Sequence, residues 1–157
     1  MDAAVPKLEH LFDVHIDIDA PQIVGKTPLG VRQIFIVKGG TVEGPRINGE
    51  VLPGGGDWAM VRSDRAVQID VRATLRTNDG ALIYVTYGGV IAAPPDVFGR
   101  IFQGQDVPLS EYYFYTNPLF QTGAEQYDWL NRLVAIGRGK ALAGGGVEYR
   151  VWAGSAP

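Results

Sequence analysis

Charged side chains suited to acid–base chemistry alternate with apolar ones along the segment Gln68–Arg76. Asp70 and Arg72 stand two residues apart, so in a β-strand they project from the same face. The Asp70 carboxylate could take a proton, and the Arg72 guanidinium could hold a carboxylate or a developing phenolate through two parallel hydrogen bonds. The opposite face carries Val67, Ile69, Val71, Ala73 and Leu75. Alternation alone leaves open whether the polar face meets solvent or lines the inside of a barrel.

A hairpin adds neighbours to this polar face. Asn78-Asp79-Gly80 suits a three-residue loop in which glycine takes the left-handed conformation. The resulting register pairs Arg76 with Leu82, Thr74 with Tyr84 and Arg72 with Thr86. Tyr84 and Thr86 then join Asp70 and Arg72 on one face, and Tyr84 could transfer a proton.

Other side chains could take part in the same chemistry. The further candidates for proton transfer and anion binding are Glu43, Arg76 and Tyr113. Trp58 and Trp129 could stack on an aromatic substrate, although most tyrosines and tryptophans in such a chain are ordinary sheet and core residues. Asn131 follows Trp129 by two residues, so in a strand it shares the same face. It could orient a polar group or, equally well, satisfy a neighbouring backbone.

Composition argues against several classes of function. The 14 basic and 17 acidic residues are interspersed, which speaks against nucleic acid as a partner. No apolar run approaches the ~20 residues that cross a bilayer. The chain has no cysteine, and its two histidines, His10 and His15, are predicted on opposite faces of the first strand, so no metal site is expected. No dinucleotide or Walker motif is present, and no cofactor is expected. Met1–Pro6 lacks the features of a signal peptide, so a cytoplasmic location is predicted.

The elements that must position these residues follow from an apolar period of two. One short helix is predicted at Asp96–Gln103, opened by Pro94-Pro95 and ended by Gly104. The predicted strands are Leu8–Ile16, Val31–Val37, Thr41–Leu52 (broken near Gly44-Pro45), Asp57–Val61, Ala66–Thr77, Ala81–Tyr87, Glu111–Thr116, Tyr127–Gly137 and Val147–Trp152. About eight to nine strands with one helix indicate an all-β fold, a closed or nearly closed antiparallel barrel in a single domain, residues 1–157. A two-sheet sandwich is the alternative.

Several blocks of this chain resemble DUF3237, a family of proteins of unknown function. The blocks are Gly39–Pro45, Gly49–Trp58, Asp70–Tyr84, Glu111–Phe114 and Tyr127–Asn131. They occur in the family's order and cover nearly the whole chain. One departure is Ala73, where the family pattern often carries tyrosine, so this chain has an enlarged or altered site if that position matters.

The resemblance implies a small β-barrel, lipocalin-like or allene oxide cyclase-like in shape, that often self-associates, so a homo-oligomer is expected. It also implies action on aromatic or phenylpropanoid-type molecules without a cofactor. It favours the inward orientation of Asp70 and Arg72, because the matching block includes both faces of that strand.

The leading hypothesis is a cofactor-independent lyase or isomerase that decarboxylates, opens or cyclises a small aromatic carboxylic acid inside the barrel. Arg72 would hold the carboxylate, Asp70 would act as base or orient Arg72, and Tyr84 or Tyr113 would transfer a proton. The alternative is a non-catalytic, lipocalin-like barrel that binds an apolar small molecule. A third hypothesis is an interaction module without an internal cavity.

Overall fold

A computed structural model describes residues 5–155. Met1–Ala4 lie outside this range, and they belong to the segment from which the cytoplasmic location is predicted. The described chain forms one α-helix, two 3-10 helices (Leu109–Glu111 and Glu125–Arg132) and twelve strands. The strands and the helix are β1 (Leu8–Ile18), β2 (Gln22–Thr27), β3 (Gly30–Glu43), β4 (Gly49–Val51), β5 (Gly56–Asp57), β6 (Met60–Val61), β7 (Val67–Thr77), β8 (Leu82–Ala92), α1 (Pro95–Phe102), β9 (Tyr113–Thr116), β10 (Leu119–Gln121), β11 (Ala135–Ala141) and β12 (Val147–Gly154).

The strands close into an antiparallel barrel, as the sequence predicts. Around the wall the order is β8, β9, β11, β12, β1 and β3, and the short strands β4, β5 and β6 share the gap between β3 and β7. Ten residue pairs between β7 and β8 then close the circle. Counting the three short strands as one position, the wall has eight positions. The predicted hairpin register is confirmed, since Arg76 pairs with Leu82, Thr74 with Tyr84 and Arg72 with Thr86.

A glycine allows β1 and β3 to approach closely where β3 bends. A Cβ atom on Gly40 would lie 1.9 Å from the backbone oxygen of His15, so no other residue fits there without moving β1. The sequence predicts that the strand ends at Gly39-Gly40, but β3 continues through both glycines to Glu43. The missing side chain of Gly40 removes the clash that would otherwise stop the pairing.

The two ends of the barrel differ in how well they are sealed. One end contains five core residues, each at most 2% exposed: Val42, Ile47, Val51, Ile83 and Leu130. Leu130 belongs to the 3-10 helix Glu125–Arg132, which plugs this end. At the opposite end, Ile18, Tyr87 and Ile91 pack on the core but keep partial exposure. α1, found at Pro95–Phe102 close to its predicted position, follows β8 at this more open end.

Two predictions about local structure are wrong. The predicted strand Tyr127–Gly137 is a 3-10 helix as far as Arg132, and β11 begins only at Ala135. The first strand contains an irregularity between His10 and Phe12, which turns the His10 ring outward to bond Asp13 at 3.0 Å. His15 also faces outward, so the two histidines do not lie on opposite faces. A β-bulge shifts the alternation of inward and outward side chains by one residue, so the faces predicted for a regular strand do not apply.

No helix within residues 5–155 has the length and apolar character needed to cross a membrane.

Candidate functional site

The polar face of β7 lies on the outside of the barrel, so the predicted inward orientation is wrong. Ile69, Val71, Ala73 and Leu75 are at most 5% exposed, whereas about half of the Asp70 and Arg72 side chains is exposed. Their charge pair exists, with 3.1 Å between Arg72 Nη1 and Asp70 Oδ1. Burying these charges in the apolar lumen would cost more than exposing them, and the four apolar side chains take the interior instead.

The other residues predicted on that face lie outside with it. The Arg72 guanidinium sits 5.4 Å from the centre of the Trp58 ring, so Trp58 covers an outer ion pair and not a lumen. Thr86 lies across from Arg72, and Tyr84 is 38% exposed. Arg76 bonds Glu50 of β4 at 2.8 Å on the same surface.

The remaining candidates are dispersed. Tyr113 is 53% exposed and packs against Tyr115, with ring centres 4.8 Å apart. Glu43 belongs to a different outer surface, across from Asp13 of β1.

Trp129 and Asn131 belong to the 3-10 helix at the sealed end, where Arg46 lies 3.7 Å from the centre of the Trp129 ring. In a 3-10 helix two residues of sequence separation do not share a face, so the predicted pairing of Trp129 with Asn131 fails. The Asn131 amide instead holds the backbone of Thr122, accepting at 2.8 Å and donating at 3.0 Å.

The structure instead brings together three ionisable side chains that face the interior: Asp57, Tyr87 and Tyr149. Asp57 ends the two-residue strand β5, across from Val71, and Tyr87 also lies across from Val71 on β8. Tyr149 comes from β12, and its ring meets that of Tyr87 edge to face, with centres 5.4 Å apart. Three separate stretches of chain therefore build one polar cluster within an apolar barrel.

Glycines give the cluster its room. A Cβ atom on Gly55 would lie 2.4 Å from the Arg72 carbonyl oxygen, so the turn before Asp57 can approach β7 only without a side chain. On the other side, a Cβ on Gly139 would come within 2.6 Å of the Phe114 ring, which packs edge to face on Tyr149 at 5.3 Å.

Burial changes the acidity of Asp57. Burial, together with the nearby Asp70 charge, raises the pKa of the carboxyl group from 3.8 to about 6. A hydrogen bond from the Asp70 backbone N–H at 3.0 Å and the charge of Arg32 oppose this shift. The residue as a whole keeps some solvent contact, but its neighbours surround the carboxyl group. A carboxyl group with a pKa near 6 can both take and return a proton close to neutral pH.

The two tyrosines have the opposite role. Burial raises the pKa of Tyr87 and, more strongly, that of Tyr149, and the Asp57 charge adds to both shifts. Both hydroxyl groups therefore stay protonated at neutral pH and act as hydrogen-bond donors, not as bases. The cluster thus combines one base with two donors that could stabilise a developing oxyanion.

A cavity of about 30 Å³ adjoins the tyrosines inside the barrel. Its lining is almost entirely apolar and includes Ala73 and Thr116 beside Tyr87 and Tyr149. This volume exceeds the ~10–15 Å³ that holds one water but is far below the roughly 300–1,000 Å³ of a small-molecule pocket. No charged residue lines it, so it offers a carboxylate no counter-ion.

Within residues 5–155, no group of three or more His, Asp or Glu side chains is placed to hold a metal ion.

Comparison with known proteins assigns the chain to a family. The sequence model of one protein family, described as "Protein of unknown function (DUF3237)", matches residues 6–153. The chain belongs to the DUF3237 family. A UPF0311 protein of Clostridium acetobutylicum is 35% identical over 123 residues, which cover 78% of each chain. The crystal structure of RPA1785, a conserved protein of unknown function from Rhodopseudomonas palustris, superposes with a TM-score of 0.91 at 28% identity, over 96% of this chain and 99% of that one.

One relative of this DUF3237 protein is named as an enzyme. The hydroalkoxylation enzyme phnH of Penicillium herquei is 26% identical over 132 residues, covering 84% of this chain and 73% of that protein. Enzymatic catalysis therefore occurs among the relatives of this barrel.

Proposed function

We propose that this protein is a cofactor-independent lyase or isomerase that adds a hydroxyl group across a conjugated carbon–carbon double bond of a small aromatic molecule, or runs the reverse elimination. The observation that carries the proposal is the Asp57 carboxyl group, with its pKa of about 6, beside two buried tyrosine hydroxyls. The relative named as a hydroalkoxylation enzyme supports this reaction type.

Each residue of the cluster has one task in this scheme. The Asp57 carboxylate removes the proton of the substrate hydroxyl, whose oxygen forms a bond to the far carbon of the double bond. The π electrons move onto the conjugated carbonyl oxygen, where the Tyr87 and Tyr149 hydroxyls donate hydrogen bonds to the negative charge. The protonated Asp57 then returns its proton to the neighbouring carbon. The proton taken is the proton given back, so the reaction is an isomerisation when both groups belong to one molecule.

The substrate we propose is a neutral phenol or alcohol and not a carboxylic acid. A carboxylate within the small cavity would find no cation in the lining, and the ionised Asp57 nearby would repel it. A carrier must enclose its apolar ligand, which a cavity of about 30 Å³ does not do. In the proposed reaction the substrate ring stays at the open end of the barrel, and only its reacting group reaches Asp57.

The test is conversion of a panel of aromatic enones that carry a free hydroxyl, with 2′-hydroxychalcone as the first probe. Loss of the enone absorbance and chiral analysis of the product separate catalysis from spontaneous cyclisation. We expect kcat/KM to rise with pH around 6, as Asp57 ionises. A panel in which no member reacts faster than in buffer would contradict the proposal.

A further inference from the structure

A larger concavity lies on the outer surface, away from the barrel interior. Its floor is the outer face of β3, β1, β12 and β11, and Leu109, in the segment after α1, forms one wall. Its volume of about 460 Å³ falls in the range of small-molecule sites, roughly 300–1,000 Å³. The charged residues along it are Asp13, Glu43, Arg138, Lys140, Glu148 and Arg150.

Most charges along this outer groove have partners of opposite sign. Arg150 donates to both carboxylate oxygens of Asp13 at 2.8 Å. Lys140 lies 2.9 Å from Asp106. Arg138 and Glu43 differ, because in the described part of the chain neither has an oppositely charged group within 4.0 Å.

Neutral groups hold the Arg138 guanidinium in place. It donates to the carbonyl oxygens of Leu109 at 2.6 Å, Tyr112 at 3.1 Å and Phe114 at 3.5 Å, and it lies 4.7 Å from the centre of the Tyr115 ring. These contacts orient the side chain without cancelling its charge. A guanidinium has five N–H donors, and both hydrogens of Arg138 Nη2 and one of Nη1 are used here. The Nε–H and the second Nη1–H, on different edges of the group, are left for a ligand.

The strand register places Arg138 directly opposite Arg150. Like charges in such a pair destabilise a sheet, and the Asp13 carboxylate compensates only Arg150. An anion in the groove would therefore relieve the half-buried, uncompensated charge of Arg138. Next to these charges, Trp152 and Leu109 supply apolar surface.

We propose that the outer groove binds an aromatic carboxylate, with the carboxylate on Arg138 and the ring against Trp152. The carboxylate would accept one charge-assisted hydrogen bond from a free donor of Arg138, and the Trp152 ring contact would favour an aromatic acid over an inorganic ion. Tyr149 of β12 contributes to both the outer groove and the inner cavity, but binding at Arg138 does not depend on the reaction proposed for Asp57.

Calorimetric titration with 2-naphthoate tests the site. Saturable binding is expected for the wild-type protein, and Arg138→Gln should weaken it about tenfold or more because a charge-assisted hydrogen bond is lost. Trp152→Ala should weaken it while leaving Arg138 in place. Arg76→Gln removes an outer cation elsewhere and Asp57→Asn alters the barrel cluster, so both should bind as the wild type does.

Several outcomes would overturn the proposal. They are non-saturable binding, unchanged affinity in a folded Arg138→Gln variant, equal affinity for the neutral 2-naphthalenemethanol, and complete displacement by equimolar inorganic phosphate. If Arg138→Gln does not fold, Arg138→Lys and Trp152→Ala decide: unchanged affinity in both contradicts the proposal. Loss of naphthoate binding in Asp57→Asn would place the ligand in the barrel and refute the outer site.

Discussion

Replacing Asp57 with asparagine should change how stability depends on pH. In the wild type, the folded-state pKa of Asp57 is about 6 against an ordinary value of 3.8. Between these values the folded protein keeps a proton that the unfolded chain has released, so stability falls as pH rises through this window and the loss is complete above about pH 6. A shift of about two pKa units at about 1.4 kcal/mol each gives at most about 3 kcal/mol, an upper limit because the residue keeps some solvent contact.

Asparagine has nearly the same shape and cannot ionise, so Asp57→Asn lacks this loss. Urea unfolding of both proteins between pH 3.5 and 7.5 should show the difference in free energy of unfolding, variant minus wild type, increasing with pH by up to about 3 kcal/mol.

Asp13→Asn provides a control of opposite sign. The hydrogen bond from Arg150 lowers the Asp13 pKa, so the wild type gains stability from this group above its unfolded pKa and loses it on acidification. The difference in free energy of unfolding, Asp13→Asn minus wild type, should therefore decrease as pH rises from the acid side. A pH-independent difference for Asp57→Asn would refute the account of a buried, proton-holding Asp57.

Two further predictions concern the framework of the barrel. Leu130→Ala should lower the free energy of unfolding by about 2–5 kcal/mol, because the side chain is fully buried in the plug, whereas Leu119→Ala, about half exposed, should change it by less than about 0.5 kcal/mol. Urea titrations measure both, and equal effects would contradict the sealed end. Gly40→Ala should be strongly destabilising because its Cβ would meet β1, while Gly99→Ala in the open helix α1 should be neutral or stabilising by up to about 1 kcal/mol. Thermal unfolding separates the two, and a harmless Gly40→Ala would refute the close approach of β1 and β3.

The barrel and its central hairpin could be predicted because their signals are local and regular. Alternation over β7 and the Asn78-Asp79-Gly80 turn fix the register with β8, and the structure has that register. Alternation does not tell which face is inside when both a charged and an apolar surface are available, and the cost of burying charge decided against the expected orientation. Self-association remains a prediction, and light scattering over a concentration series would test it.

The sequence pattern does not reveal the interior cluster, and the reason differs from residue to residue. β5 has only two residues, so no alternation marks Asp57 as inward-facing. Tyr87 does continue the inward series of Ile83 and Val85, and Tyr149 shares its parity with Val151, so both signals were in the sequence. The neighbourhood of the three residues depends on barrel closure, which brings β5, β8 and β12 together from distant parts of the chain.

The most direct test of the central claim compares Asp57→Asn with Arg72→Gln in turnover of whichever panel member the wild type converts. Asp57 lies inside the barrel and Arg72 outside it, so the two variants separate the interior cluster from the outer face of β7. We predict that Asp57→Asn loses about 100-fold or more in kcat/KM, as expected for removal of a general base, and that Arg72→Gln stays within about twofold of the wild type. Loss of turnover in Arg72→Gln with full activity in a folded Asp57→Asn would contradict the account and return the chemistry to the outer face.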